Sequence, residues 1–98
     1  MNKLSTDEIT TRLDALPDWT RSGDALQRTF GFADFLEAMA FVNRIADLAE
    51  QKQHHPDIMI RYNKVTLTLI THDAGDTGGL TGKDFDFATE TNGLIVSA

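Results

Sequence analysis

The sequence predicts an α+β domain: one four-stranded antiparallel sheet with helices packed on one face, in the order α-β-β-α-β-β-α. Three observations lead there. Patterns of the capping-box type at Ser5–Glu8, Asp34–Glu37 and Thr81–Asp84 each precede apolar residues at helical spacing. Between them lie two pairs of runs that alternate apolar and polar residues, each pair broken by a short turn. The strands therefore come as hairpins, without the strand–helix–strand alternation that a parallel sheet requires.

The first helix is predicted over residues 6–16, with Ile9, Leu13 and Leu16 on one side and Pro17 as its stop. Residues 18–22 and 25–32 form a hairpin around Ser22-Gly23-Asp24, with Leu26, Arg28, Phe30 and Phe32 alternating against Gln27, Thr29 and Gly31. A long helix spans 34–52. Its apolar stripe is Phe35, Met39, Val42, Ala46 and Ala49, widened by Leu36, Ile45 and Leu48. Ile58, Ile60 and Tyr62, then Val65, Leu67 and Leu69, make a second hairpin. Its turn is placed at Asn63-Lys64, with Asn63 at positive φ. Residues 73–79 are a loop, and a last helix covers 82–95 with Phe85, Ala88 and Ile95 on one side.

The chain of 98 residues is one domain, 1–98. It has no cysteine, which excludes a disulfide scaffold, a thiolate metal site and a cysteine nucleophile. The net charge is −6 and the acid excess is shared by both halves, so no basic face is available for direct nucleic-acid binding. No apolar run approaches the roughly 18 residues that span a bilayer, and Met1–Ser5 lacks a signal-peptide stretch. The expectation is a cytoplasmic protein. A sheet edge left open in so small a domain is expected to support a homodimer or homotetramer.

The candidate chemistry is in three histidines, His54, His55 and His72. A turn at Asn63-Lys64 pairs Tyr62 with Val65, and the same register sets Ile58 opposite Leu69 and His55 opposite His72. Opposed residues have Cβ atoms about 5 Å apart, so the three rings are expected to meet at the open end of the hairpin. Imidazoles titrate near neutrality, so one ring can donate a proton while another accepts one. That division of labour suits an elimination. Ordinary loop histidines are the bland alternative, and a three-histidine zinc site is the sharper rival, though the spacing lacks the i, i+4 helical pair of common zinc hydrolases. Glu50 is a solvated helix-end charge, a carboxylate that supports a histidine, or a catalytic carboxylate. Asp84 is explained by the Thr81 capping box alone, and it also lies within reach of the loop that His72 enters.

The run Glu50-Gln51-Lys52-Gln53-His54-His55-Pro56, then Tyr62, His72 and Asp84, resembles the signature of the pterin-4a-carbinolamine dehydratase family, E-x3-H-H-P-x5-Y-x9-H-x(8–15)-D. Tyr62-Asn63-Lys64-Val65, Thr71-His72 and Leu80-Thr81-Gly82-Lys83-Asp84 extend the likeness, as do Trp19, Phe30, Phe32, Asp34, Phe35, Ala38 and Phe41. The resemblance implies the same fold and a dehydratase that removes the 4a-hydroxyl of 4a-hydroxytetrahydropterin as water. It implies no metal and no cofactor, the pterin being the substrate, and a functional link to an aromatic amino acid hydroxylase. His54 and His72 correspond to the acid/base pair, in either order, and His55 to a residue that orients the 4a-oxygen. Gln53, Thr71 and Asp73 fall in the segments that line the pterin pocket. The chain departs from the pattern at Gln53 and Asp73, where acidic residues and Glu are common, at Ile58, where an aromatic is common, and in a longer His72–Asp84 loop. Some relatives act as coactivators or assembly factors, so a non-catalytic binding module that keeps the fold is the competing reading.

Overall fold

The computed structural model describes residues 2–95. The elements run α1 (Thr6–Leu13), β1 (Thr20–Ser22), β2 (Ala25–Gly31), α2 (Phe35–Lys52), β3 (Asp57–Arg61), β4 (Lys64–Leu69) and α3 (Gly82–Leu94). The expected α+β order is the observed one. The four strands form one antiparallel sheet in the order β1-β2-β4-β3, so β2 and β4 are central and β1 and β3 are edges.

Local chemistry starts the helices. Ser5 accepts from the Glu8 amide while Glu8 reaches back to the Ser5 amide, a complete capping box. Thr81 and Asp84 do the same for α3. Asp34 accepts from the Glu37 amide, but the Glu37 carboxylate reaches Ala33 instead of Asp34, so this box is half formed. Helix α1 ends three residues earlier than expected. Pro17 disfavours helical geometry at Leu16, and the chain tightens into turns whose bonds run Ala15 to Arg12 and Leu16 to Leu13.

One face of the sheet carries Leu26 and Phe30 of β2 and Val65, Leu67 and Leu69 of β4, all buried against the helices. Helix α2 answers with Ala38, Phe41, Ile45, Leu48 and Ala49. The stripe is thus turned from the expected one: Phe35 and Leu36, in the first turn of α2, are exposed. Phe30 centres an aromatic cluster, 4.8 Å from Phe41 and 6.0 Å from Trp19 between ring centroids. Each such buried side chain contributes roughly 1.5–3 kcal/mol. Helix α3 has no single apolar stripe, because Phe85 and Phe87 are both buried although residues two apart face different ways. The Arg12 guanidinium lies over the Phe85 ring, while Phe87 meets the His54 ring edge-on.

The second hairpin corrects the predicted register. The turn is Tyr62-Asn63, Arg61 pairs with Lys64, and Ile60 and Ile58 pair with Val65 and Leu67. Tyr62, not Asn63, takes the positive φ, 53°. The cause lies just after β2. Asn63 Nδ2 donates to the Phe32 carbonyl and the Phe32 amide donates to the Asn63 carbonyl, which fixes Asn63 and leaves Tyr62 to make the turn. The apolar faces survive because partners move by two residues. The predicted pairing of His55 with His72 does not, and the ladder stops at Asp57 and Thr68.

Candidate active site

The end of α2 delivers the histidine pair. Gln53 adopts the left-handed conformation, φ 51° and ψ 43°. Its amide donates to Glu50 and the His54 amide donates to Ala49, a Schellman arrangement that reverses the chain. A non-glycine residue at this φ carries local strain. The Gln53 side chain offsets part of it, since Nε2 donates to the Glu50 carbonyl at 2.8 Å. The reversal turns His54 inward and His55 outward.

His54 Nε2 meets Asp84 Oδ1 at 2.6 Å, and the ring is half-buried against Phe87. Asp84 has no solvent exposure. Its other oxygen, Oδ2, accepts from the Thr71 hydroxyl at 2.8 Å and from the Thr81 amide at 2.9 Å. A buried carboxylate needs such partners to be tolerated at all. The residue that closes the capping box of α3 therefore also grips a histidine from the end of α2. Thr71 itself is buried, its hydroxyl 2.9 Å from that of Thr81. Its backbone makes a two-bond bridge to Gly79, which closes the loop that begins at His72.

His55 Nε2 donates to Glu50 Oε2 at 2.6 Å, and both side chains are exposed. His72 and Asp73 are exposed in the turn after Thr71. The structure thus gathers His54, Thr71 and Asp84 on one carboxylate and pairs His55 with Glu50 separately. The register that would set His55 opposite His72 is not the observed one, since the β3–β4 ladder ends at Asp57 and Thr68. Among the described residues no group of three or more His, Asp or Glu side chains is arranged to hold a metal ion. Thr81 and Phe87 join the site beyond the residues that the sequence marks as its candidates. Thr81 stood in plain view as a helix cap, and the Phe87 contact depends on packing alone.

The arrangement can transfer protons. A histidine oriented by a buried carboxylate, a second histidine held by Glu50 and a third in the turn after Thr71 are the parts of general acid–base chemistry.

The sequence model of the family described as "Pterin 4 alpha carbinolamine dehydratase" matches residues 2–94. A protein of Thermomicrobium roseum is 53% identical over 88 residues, covering 90% of this chain and 91% of its own. One of Acidobacterium capsulatum is 48% identical over 95 residues, covering 97% and 100%. Both are named "Putative pterin-4-alpha-carbinolamine dehydratase". Among solved structures, a "transcriptional coactivator/pterin dehydratase" from Brucella melitensis superposes with a TM-score of 0.87 at 35% identity, covering 95% of this chain and 98% of that one. A pterin dehydratase-like protein described as a RuBisCO assembly factor in the alpha-carboxysome has a TM-score of 0.65 over 82% of this chain and 89% of that one; at 23% identity it shares the fold alone. This chain belongs to the pterin 4 alpha carbinolamine dehydratase family.

Proposed function

We propose that the protein dehydrates 4a-hydroxytetrahydropterin to quinonoid dihydropterin and water. The observation that carries this reading is the His54 imidazole held by the buried Asp84 carboxylate at 2.6 Å, in a chain of this family. The reaction breaks the C4a–O bond after its oxygen takes a proton, and N5 gives up its proton as the N5=C4a bond forms. His54 and His72 are the acid/base pair and His55 orients the 4a-oxygen. Gln53, Thr71 and Asp73 belong to the pocket segments. Glu50 holds His55 and Asp84 holds His54.

On this reading the side chains supply all the chemistry, with no metal or cofactor, and dialysis against a chelator leaves the rate unchanged. The substrate is the product of an aromatic amino acid hydroxylase. No helix among the described residues is long and apolar enough to cross a membrane, in keeping with work beside such an enzyme in the cytoplasm.

The test is to generate the 4a-hydroxytetrahydropterin in situ and follow its decay spectrally. The protein accelerates the decay, and His54→Ala and His72→Ala each lower the rate on the order of 10²–10⁴-fold. Folded protein that leaves the decay unchanged overturns the dehydratase reading and favours a non-catalytic binding, assembly or coactivator-type module; the similar Brucella protein is described as a transcriptional coactivator as well as a pterin dehydratase.

A further inference from the structure

Thr71 lies beside His72 in a segment expected to line the pterin pocket, yet the residue is only 2% exposed. Its hydroxyl faces Asp84 Oδ2 at 2.8 Å and Thr81 Oγ1 at 2.9 Å. Its backbone amide and carbonyl are both bonded within the loop, to Gly79 and Ala74. Nothing of Thr71 is left to touch a ligand.

The hydrogens around it can be allocated one by one. The Lys83 amide donates to Thr81 Oγ1 at 3.2 Å. The Thr71 hydroxyl has one hydrogen, and an ionised carboxylate only accepts, so that hydrogen goes to Asp84 Oδ2. Thr81 must then donate its own hydroxyl hydrogen to Thr71. The chain Lys83 to Thr81 to Thr71 to Asp84 runs one way, with every hydrogen used. The Thr81 amide is a second donor to the same Oδ2. With Oδ2 taken twice, Oδ1 is the oxygen turned to His54 Nε2, and that nitrogen must carry a hydrogen. No buried side-chain nitrogen or oxygen among the described residues lacks a partner, and no described residue bonds His54 Nδ1, so Nδ1 opens to solvent.

We propose that Thr71 and Thr81 are positioning residues that act through Asp84 to hold His54 as its Nε2–H tautomer, so that a lone pair on Nδ1 faces outward. A neutral ring in this state is a base. Resting on the dehydratase reading, the same geometry makes His54 the group that takes the N5 proton and leaves His72 to protonate the departing hydroxyl. The tautomer itself does not depend on that reading.

The imidazole ¹⁵N chemical shifts of His54 report the tautomer directly, without substrate. They are to be recorded for the native protein and for Thr71→Ser, Thr71→Val and Asp84→Asn, at a pH where the ring is neutral. The native protein and Thr71→Ser show a hydrogen on Nε2. Thr71→Val removes one donor from Oδ2 without changing shape much, and the spectrum moves toward a mixture of tautomers. Asp84→Asn gives the sharpest outcome. Its amide oxygen is held by the two donors from Thr71 and Thr81, its NH₂ then points at His54, and the hydrogen moves to Nδ1. In the dehydration assay Asp84→Asn and Thr71→Val lower kcat, on the order of 10²-fold for Asp84→Asn, with KM little changed, and Thr71→Ser restores kcat. Native His54 with its hydrogen on Nδ1, or Asp84→Asn that keeps it on Nε2, overturns the assignment. Should Thr71→Val not fold, the native and Asp84→Asn spectra decide alone. A tautomer as expected in a protein that does not accelerate dehydration removes the function and leaves the positioning device standing.

Discussion

Thr71 and Gly79 exchange both backbone bonds, at 2.9 and 3.0 Å, and so close the loop that carries His72 and Asp73. Gly78, just before the bridge, has a φ of 84°, and a Cβ there would lie 3.3 Å from the carbonyl oxygens of both Thr71 and His72. Gly78→Ala combines left-handed strain with a tight contact on the His72 backbone. It should destabilise the protein by about 1–3 kcal/mol. For a domain of this size each kcal/mol lowers Tm by roughly 4–8 °C. Thermal melts measure the effect, and a Tm within about 1 °C of native would show the loop to be slack enough to absorb the methyl group.

The first helix carries a pH-dependent clamp. The backbone and hydroxyl of Ser5 hold the Glu8 carboxyl below its ordinary value of 4.5. A carboxyl depressed in the folded state stabilises it above the unfolded pKa, and that stabilisation is lost as the pH falls through the folded pKa. Native protein should therefore melt above Glu8→Gln at pH 7, with the gap closing below about pH 4. A gap that stays constant to pH 3 would mean that the clamp does not depend on the charge. The group is exposed, so the effect is a small shift in Tm.

Asn92 ties α3 to β2 and to the segment before β1 through one oxygen. Its Oδ1 accepts from Trp19 Nε1 at 2.9 Å and from Arg28 Nη1 at 2.7 Å, and the same guanidinium lies 4.4 Å from the Phe30 ring centroid. Asn92→Leu leaves an indole N–H and a guanidinium donor without their acceptor, at a cost of about 1–3 kcal/mol. Trp19 is the single tryptophan, so its fluorescence reports both the melt and the change at the indole. Unchanged stability and emission would show that water replaces Asn92 in full.

What could be read in the sequence was what is local. The caps at Ser5, Asp34 and Thr81 and the alternation along both hairpins depend on neighbours in the chain, and they placed every element and the α+β order. The register of the second hairpin was not local. It is set by Asn63 bonding to Phe32, 31 residues away, and no turn rule contains that contact. The same limit held at the site. Asp84 was legible as a helix cap, but its grip on His54 spans 30 residues and needs the left-handed Gln53 to turn the ring inward. Phe35 and Leu36 fitted an apolar stripe by spacing, yet they lie outside the strip of α2 that β4 and α3 cover.

The edge strand β3 bears on self-association. Ile58 and Ile60 stand on the helix side of the sheet, opposite Leu67 and Val65, yet they are 37% and 38% exposed where those partners are fully buried. Met59, on the other face, is also exposed. Among the described residues, one side of the β3 backbone has no strand partner. Charged or proline residues usually blunt such an edge, but here only Asp57 and Arg61 at its ends are charged. A second copy that pairs antiparallel through β3 would satisfy the backbone and cover Ile58 and Ile60 by two-fold symmetry. Light scattering on the native protein at micromolar concentration should thus give at least twice the chain mass of 10.9 kDa. Ile60→Lys places a charge on its own symmetry mate's side of the joint and should return the monomer while keeping the fold. A native protein that runs as a monomer at these concentrations would leave β3 as a bare edge, kept from aggregating by Asp57, Arg61 and the net charge of −6.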